Sequence, residues 1–433
     1  MNPVRVGIVG FGKVGRATAG IIAANSAELK RCVGAPLVVT HVCCRSQLAP
    51  ELVPAGARRV CDWRELVDSP DVDIAVECMG GTDIAGQAVL RALALGKPVV
   101  TANKNLMAQR GNEIHSLAAD KNLPIGMEAT VAGGVPVLRA ISDGMAGDRL
   151  LSVYGILNGT TNYILTRMEQ DGLSFEQALA QAQQAGYAEA DPSLDIDGID
   201  ARDKLCILAR LAFHGWLAEA SIATEGIRDI TFVDFRYARQ LDSTIRLMAH
   251  ASRHDDEVEI SVRPWLVRRG SMLANINGAN NAVCLVGERA GRQMFSGPGA
   301  GPDATGTAVV ADLVAIGRSM VDGAIRRKEL SGFRAATSLK VRPASKPVPW
   351  YLRLTVRDRP GIIAEVARII AQLEVNIDSV FQQPDMPKTS LSFVIMVEAV
   401  PESKIRQAVE QIDRLEFMLK PTLLMPIRSE GEN

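Results

Sequence analysis

The chain has 433 residues, 47% of them hydrophobic, and a formal net charge of −1. That length exceeds what one core usually organises, so two or three domains are expected. The near-neutral charge excludes a whole-protein attraction to nucleic acid or to an anionic membrane, although not a local patch. The seven cysteines are odd in number and form no C-x-x-C pair, which reads as free thiols in a reducing cytoplasm. No unbroken apolar run reaches the ~18 residues of a membrane span. The first residues, MNPVRVGIVGFGKVG, are too short and glycine-broken for a signal peptide and read as a strand.

In chain order, Val4–Val9 is a β-branched run ended by Gly10, and Arg16–Ala24 has helical spacing. Leu37–Cys44, Ile74–Glu77 and Pro98–Ala102 are further strands, with the helix Gln87–Leu95 between the last two. Strands alternating with helices predict parallel βαβ units and a doubly wound α/β sheet over residues 1–130. Residues 131–320 are less regular. Arg149–Leu157 reads as a strand, and Asn162–Gln170, Ser174–Ala185 and Ile199–Phe213 as helices; GPGAGPDATG then opens into a long apolar helix. Residues 324–349 carry seven Lys/Arg and three Pro with little periodicity, which favours a linker over a basic docking strip. In 350–433, Trp350–Arg357, Val375–Phe381, Leu391–Glu398 and Met418–Ile427 are strands, and Pro360–Leu373 and Glu402–Arg414 are helices. The order βαββαβ predicts a small α+β domain, an antiparallel sheet with two helices on one face.

The first strand runs into GFGKVG, with Gly10, Gly12 and Gly15 in G-x-G-x-x-G spacing and Phe11 and Val14 between them. Gly10 makes the tight turn, Gly12 lets backbone approach a pyrophosphate, and Gly15 allows close helix–sheet packing. The helix N-terminus supplies free N–H groups to the phosphates. A strand before the motif and a helix after it make dinucleotide binding the better reading than a bare tight turn. An NAD site usually ends the second strand with an acid. Here the strand ends HVCCRS, and Arg45 suits a 2′-phosphate, so NADP is expected with NAD as the alternative.

The stretch LDIDGIDARDKL at 194–205 packs four aspartates beside an apolar run. Asp197 is a candidate helix cap, and Asp200 and Lys204 share a helix face at i, i+4. From spacing alone this is an exposed salt bridge worth about 0.3–0.5 kcal/mol. A divalent metal fits poorly, since EF-hand spacing is missing and the lysine repels a cation.

Several stretches together resemble homoserine dehydrogenase: GIVGFGKVG, TANKNLMA at 101–108, EATVAGGVPVL at 128–138, LNGTTNYIL at 157–165, AEADPSLDIDGIDARDKL at 188–205 and GPGAGPDATG at 297–306. They span about 300 residues in the family's order. RDRPGIIAEVARIIAQLEVNI in the tail resembles an ACT domain, the amino-acid-sensing module. With no kinase-sized segment ahead of it, the arrangement resembles the monofunctional bacterial enzyme. Cys43–Cys44 departs from an often aliphatic place and is given no role.

The resemblance implies NAD(P)-dependent interconversion of L-homoserine and L-aspartate 4-semialdehyde, in the pathway to threonine and methionine. It implies a Rossmann-like domain completed by a helix returning near 303–323, an α+β substrate and dimerisation domain, and the ACT-like tail. It places the catalytic lysine at Lys204, and substrate binding at Glu189, Asp200 and Lys104. Lys104 also lies near the nicotinamide, as does Gly301. Main-chain carbonyls at Glu128, Val131, Gly133 and Val135 match those that hold a monovalent cation, typically sodium; a tight turn facing water is the alternative. Asp195, Asp197 and Asp203 keep ordinary readings as caps, solvated charge or supporting groups. Threonine is the expected effector, near Asp358–Ile362 and Asn376–Asp378, and a homodimer or homotetramer the expected assembly.

Two rival functions remain at this stage. A thioester-forming semialdehyde dehydrogenase needs an activated cysteine with a partner histidine, and no such signature is present. A non-catalytic sensor of amino acids and dinucleotides uses the same folds as scaffolds.

Overall fold

The computed structural model describes residues 2–45, 49–323, 338–383 and 387–428. The chain forms two compact units, each built from three stretches: 1–157, 202–222 and 281–340, and then 158–201, 223–280 and 341–433.

In the first unit, parallel strands β1 (Val4–Val9), β2 (Leu37–Cys43), β3 (Arg58–Val60), β4 (Ile74–Glu77), β5 (Val99–Thr101) and β6 (Ile125–Gly126) alternate with helices α1 (Lys13–Ala24), α2 (Ser26–Val33), α3 (Trp63–Asp68), α4 (Asp83–Ala94) and α5 (Lys104–Asp120). The order β3-β2-β1-β4-β5-β6 reverses between β1 and β4, and that reversal opens a crevice at the carboxyl ends of the strands. β1, β4 and β5 are valine- and isoleucine-rich and almost wholly buried, as strands covered on both faces must be. A late helix, α12 (Pro302–Val321), joins the same core: Val309, Leu313 and Ile316 cluster with Val6, Ile8 and Ile22. Gly306 lets it approach α1, since a Cβ there would lie 3.1 Å from the Thr18 nitrogen. By length and composition α12 is apolar enough to cross a membrane, although Asp, Arg and Gly interrupt its apolar run; it supplies much of this core. A short helix α6 (Val137–Arg139) leads towards β7 (Leu150–Ile156), and β11 (Asn280–Gly287) runs antiparallel to it with β12 (Gly291–Pro298) outside.

The second unit contains α7 (Gly159–Asp171), α8 (Phe175–Gln184), α9 (Ser193–Ile196), the start of α10 (Ile199–Phe213), β8 (Ala223–Thr224) and α11 (Phe232–Gln240). The long hairpin β9 (Ser243–His254) and β10 (Glu257–Arg268) follows. The tail adds β14 (Val348–Val356), α13 (Ile362–Gln372), β15 (Ile377–Gln382), β16 (Leu391–Val400), α14 (Glu402–Ile412) and β17 (Met418–Arg428), the βαββαβ order expected. Its antiparallel sheet and two helices enclose one apolar cluster containing Trp350, Leu352, Val366, Phe393 and Ile405. The strands of this unit run β9-β10-β17-β14-β16-β15, and β17 pairs with β10 at Leu266↔Ile427 and Val267↔Arg428. Side chains reinforce that seam: the Tyr351 hydroxyl donates to Asp234 at 2.8 Å, and the Arg353 guanidinium donates to the Asp229 carbonyl at 2.8 Å. Residues 324–337 of the expected linker lie outside the described residues; beyond them β13 (Lys340–Arg342) pairs with β10.

Each unit buries a histidine without charging it. Burial, then Arg210, pushes His115 down to about 3; burial, then Arg428, does the same to His250. In the unfolded chain both titrate near 6.5. Below that pH the unfolded chain gains protons that the folded chain refuses until about pH 3, so stability drains away as pH falls through this window. The melting temperature is expected to decline from pH 6.5 downwards, and less steeply in His250→Gln; parallel melting curves from both proteins would contradict this.

Candidate active site

The glycine loop meets each physical demand of its motif. Gly10 has φ +93°, and a Cβ there would strike the Cys78 and Met79 backbone at 2.6 Å. A Cβ on Gly15 would lie 2.4 Å from the Gly10 carbonyl oxygen. Gly12 is different: nothing lies within 4 Å of its Cβ position, and it caps α1 with no side-chain hydrogen bond. The first N–H groups of α1 have no intrahelical partner, and among the described residues the space beside Gly12 is open, a cradle that fits a pyrophosphate. Gly10 and Phe11 are held from behind, both N–H groups donating to the Cys43 carbonyl at 3.1 Å. Val14 packs on the unit's core. Arg45 follows β2 and is exposed.

Beside this loop sits a buried network absent from the candidate residues. Glu77 ends β4, and its carboxylate accepts from the Met79 N–H at 2.7 Å and the Thr101 hydroxyl at 2.7 Å. Burial drives its pKa upward. Asn103 caps α5 by accepting from the Leu106 N–H at 3.0 Å, and its amide donates to the Gly81 carbonyl at 2.6 Å. Lys104 is thus the first residue of a 17-residue helix rather than part of a loop. It stands at the same strand edge as Gly10, two strands along the sheet.

Glu128, Val131, Gly133 and Val135 are all buried. The Glu128 carboxylate accepts from the Leu138 and Arg139 N–H groups at 2.9 Å each, while its own N–H donates to Asp312 at 2.9 Å. Arg139 donates to Asp312 at 2.6 Å and lies 3.8 Å from Glu128, so two acids share one guanidinium. Burial, then Asp312, lifts Glu128 to about 7. Ala132 and Gly133 are successive left-handed residues, and a Cβ on Gly133 would lie 2.7 Å from the Gly299 carbonyl oxygen. The turn is thereby pressed against the loop that ends at Gly301, the N-cap of α12. Among the described residues no group of three or more His, Cys, Asp or Glu side chains is arranged to hold a metal ion.

Lys204 and Asp200 lie one turn apart on α10 and are 8% and 5% exposed, which rules out the surface salt bridge that their spacing alone suggests. In the first unit, the Lys204 ammonium donates to the Leu157 carbonyl at 2.8 Å. In the second, the Asn158 amide donates to Asp200 at 2.8 Å and to Asp195 at 2.6 Å, while its oxygen accepts from the Thr161 N–H at 2.7 Å and caps α7. Consecutive residues of LNGTTN therefore hold the ammonium and the carboxylate. Asp197 binds Arg228 at 2.9 Å, and Asp203 binds Arg202 at 2.8 Å. Glu189 is exposed, with its backbone carbonyl accepting from the Gln183 amide at 3.1 Å.

A parallel sheet of this order with a glycine cradle at its switch point is the architecture of a dinucleotide-binding protein. Sequence comparison makes the class specific. The homoserine dehydrogenase family profile matches residues 136–314, that of its NAD-binding domain residues 10–128, and an ACT domain profile residues 350–417. The chain is 36% identical to a homoserine dehydrogenase of Neisseria gonorrhoeae over 432 residues, 99% of each chain. It is 37% identical to that of Pseudomonas aeruginosa over 427 residues, 98% of each. A crystal structure of a Thiobacillus denitrificans homoserine dehydrogenase superposes with a TM-score of 0.91 at 34% identity, covering 100% of this chain and 99% of that one. A hyperthermophilic archaeal homoserine dehydrogenase in complex with NADPH covers 72% of this chain and 97% of its own, with a TM-score of 0.62 and 30% identity. The chain belongs to the homoserine dehydrogenase family. It is an oxidoreductase that uses a nicotinamide dinucleotide and carries a C-terminal ACT domain.

Proposed function

We propose that Lys204 exchanges the proton in the interconversion of L-homoserine and L-aspartate 4-semialdehyde, with Asp200, Glu189 and Lys104 binding the substrate. The observation that carries this reading is the burial of Lys204 with its ammonium fixed on the Leu157 carbonyl, one turn from an Asp200 fixed by Asn158. An ammonium has three donors, so it can hold the Leu157 carbonyl and still form a hydrogen bond in another direction when substrate enters. In the reducing direction Lys204 gives a proton to the aldehyde oxygen as it becomes an alkoxide; in the oxidising direction the neutral amine takes it from the hydroxyl. Carboxylates at Asp200 and Glu189 suit the substrate's amino group. Lys104, on the positive end of α5, suits anionic groups. Gly10, Phe11, Gly12, Val14, Gly15, Lys104 and Gly301 would hold the dinucleotide, which when bound would give a hydride in the reducing direction and take one in the oxidising direction.

NADP is the preferred dinucleotide in this reading, because an exposed Arg45 and no acid ends β2. A steady-state assay of homoserine oxidation with each cofactor tests both points: turnover must depend on homoserine, kcat/KM must favour NADP, and Arg45→Ala must shrink that preference. Equal use of NAD by both proteins removes Arg45 from the account.

A monovalent cation, sodium by the family pattern, is proposed at Glu128, Val131, Gly133 and Val135. Two buried acids share one guanidinium beside the turn, and a cation held by the turn carbonyls would favour their ionised forms. Replacing sodium with tetramethylammonium should lower the melting temperature; an unchanged melt argues against the site. Threonine is the proposed effector of the ACT domain, where Asp358–Gly361 and Asn376 are exposed. Asn376→Ala should weaken threonine inhibition at unchanged kcat, and unaltered inhibition would point elsewhere. A cytoplasmic homodimer or homotetramer completes the proposal. The seven cysteines form no disulfide, and β12 and β15 end their strand runs as edges.

A further inference from the structure

The carbonyl that receives the Lys204 ammonium has a second donor. Leu157 follows β7, and its oxygen accepts from Lys204 Nζ at 2.8 Å and from Asn281 Nδ2 at 2.9 Å. A peptide carbonyl has two lone pairs, so these donors fill it. Asn281 comes from β11, whose ladder with β7 includes the pair Ala282↔Ile156. One residue further along, the Asn281 side chain reaches Leu157 where the next rung would lie. The amide orientation is forced, because only the nitrogen can face a carbonyl oxygen.

Asn281 is completely buried, and the chain makes room for it. A Cβ on residue 299 would lie 2.1 Å from the Asn281 Cγ and Oδ1, so any larger residue there would displace the amide. The amide is wedged between the Lys204 anchor and the loop 297–301 that leads to Gly301 and α12. Its Oδ1 has no hydrogen-bond partner among the described residues. Buried amide oxygens are normally satisfied, and one left open is poorly explained by stability alone. A carboxylate at this place would add charge beside the ammonium and favour its charged form. A neutral amide holds the carbonyl without that bias.

We propose that Asn281 is a positioning residue for proton transfer: it locks the Leu157 carbonyl, which in turn fixes where the Lys204 ammonium points. The inference rests on Lys204 being the proton donor. With the carbonyl clamped, the lysine keeps one direction. Without the clamp, the peptide and the ammonium reorient together, and the alignment needed for transfer is populated for less of the time.

The test uses the full-length enzyme and four variants: Asn281→Ala, Asn281→Asp, Lys204→Ala and the double variant Lys204→Ala/Asn281→Ala. Asn281→Asp keeps the side-chain volume while removing the donor, which covers the case in which truncation unfolds the protein. Both Asn281 variants should lose at least about tenfold in kcat for homoserine oxidation, with KM for homoserine and the dinucleotide dissociation constant changed by less than about threefold. The double variant should be no slower than Lys204→Ala, because removing a clamp costs nothing once the clamped group is gone. A residue that only supported the fold would lower both backgrounds alike. Unchanged kcat in a folded Asn281→Asp, a loss confined to KM, or additive losses in the double variant overturns the assignment while leaving Lys204 in place. Normal turnover by Lys204→Ala removes the premise and the inference with it.

Discussion

Lys204→Ala is expected to lower kcat in both directions by about 10²–10⁴-fold, the usual share of a positioned acid–base group. Dinucleotide affinity should hardly change, since the glycine cradle lies on β1 and α1 rather than on α10. Lys204→Arg should rescue little. A guanidinium stays protonated and cannot take a proton back in the oxidising direction, and its planar fork does not fit where one Nζ meets one carbonyl. The measurements are single-turnover rates with homoserine and fluorescence titration with NADPH. A loss seen only in KM would make Lys204 a binding group and move the acid–base role elsewhere.

The second large effect concerns Arg210, six residues further along α10. Its guanidinium is 1% exposed and donates to the Leu217 carbonyl at 2.7 and 3.0 Å, to Met107 at 2.9 Å and to Ala108 at 2.7 Å. It lies over the Trp216 ring at 3.5 Å, and the Glu219 carboxylate is 3.9 Å away. Met107 and Ala108 belong to α5, which Lys104 begins, so one side chain ties together the two helices that carry the candidate lysines. Arg210→Met removes four charge-assisted hydrogen bonds at a buried site and the contact with the Trp216 ring, and is expected to cost about 3 kcal/mol or more. In a unit of this size that corresponds to a drop of about 6–12 °C in melting temperature. Arg210→Lys should recover only part of it, because one ammonium cannot reach three carbonyls on two elements. A melt of Arg210→Met within about 2 °C of wild type would show that the helices are held in another way.

These two residues also mark the boundary of what a linear reading reaches. The glycine loop is legible because each glycine answers a local steric demand, and the structure shows Gly10, Gly12 and Gly15 meeting theirs separately. The tail is legible because short amphipathic elements with clear breaks alternate along it. α5 escapes notice: Asn105, Gln109, Arg110, Gly111 and Asn112 interrupt any apolar stripe, and the helix is held by the Asn103 cap and the Arg210 clamp. The hairpin β9–β10 is hidden for a related reason. Arg246 and Arg263 are buried where alternation leads one to expect apolar side chains, and Glu169 at 3.2 Å and Glu402 at 2.7 Å answer them from far along the chain. At the site itself, i, i+4 spacing is the same for an exposed pair and a buried one, so Asp200 and Lys204 read alike either way. Asn281 meets Leu157 across 124 residues, a contact that no local pattern encodes.

The placement of β17 has a practical consequence for any experiment that removes the tail by truncation. Its final residues pair with β10 on one side and β14 on the other, so removing the tail leaves a bare row of peptide donors and acceptors along the end of β10. Strand ends stripped in this way recruit other chains. A shortened enzyme would clump in the test tube, and any change in its behaviour would then report aggregation rather than the loss of the tail's own role.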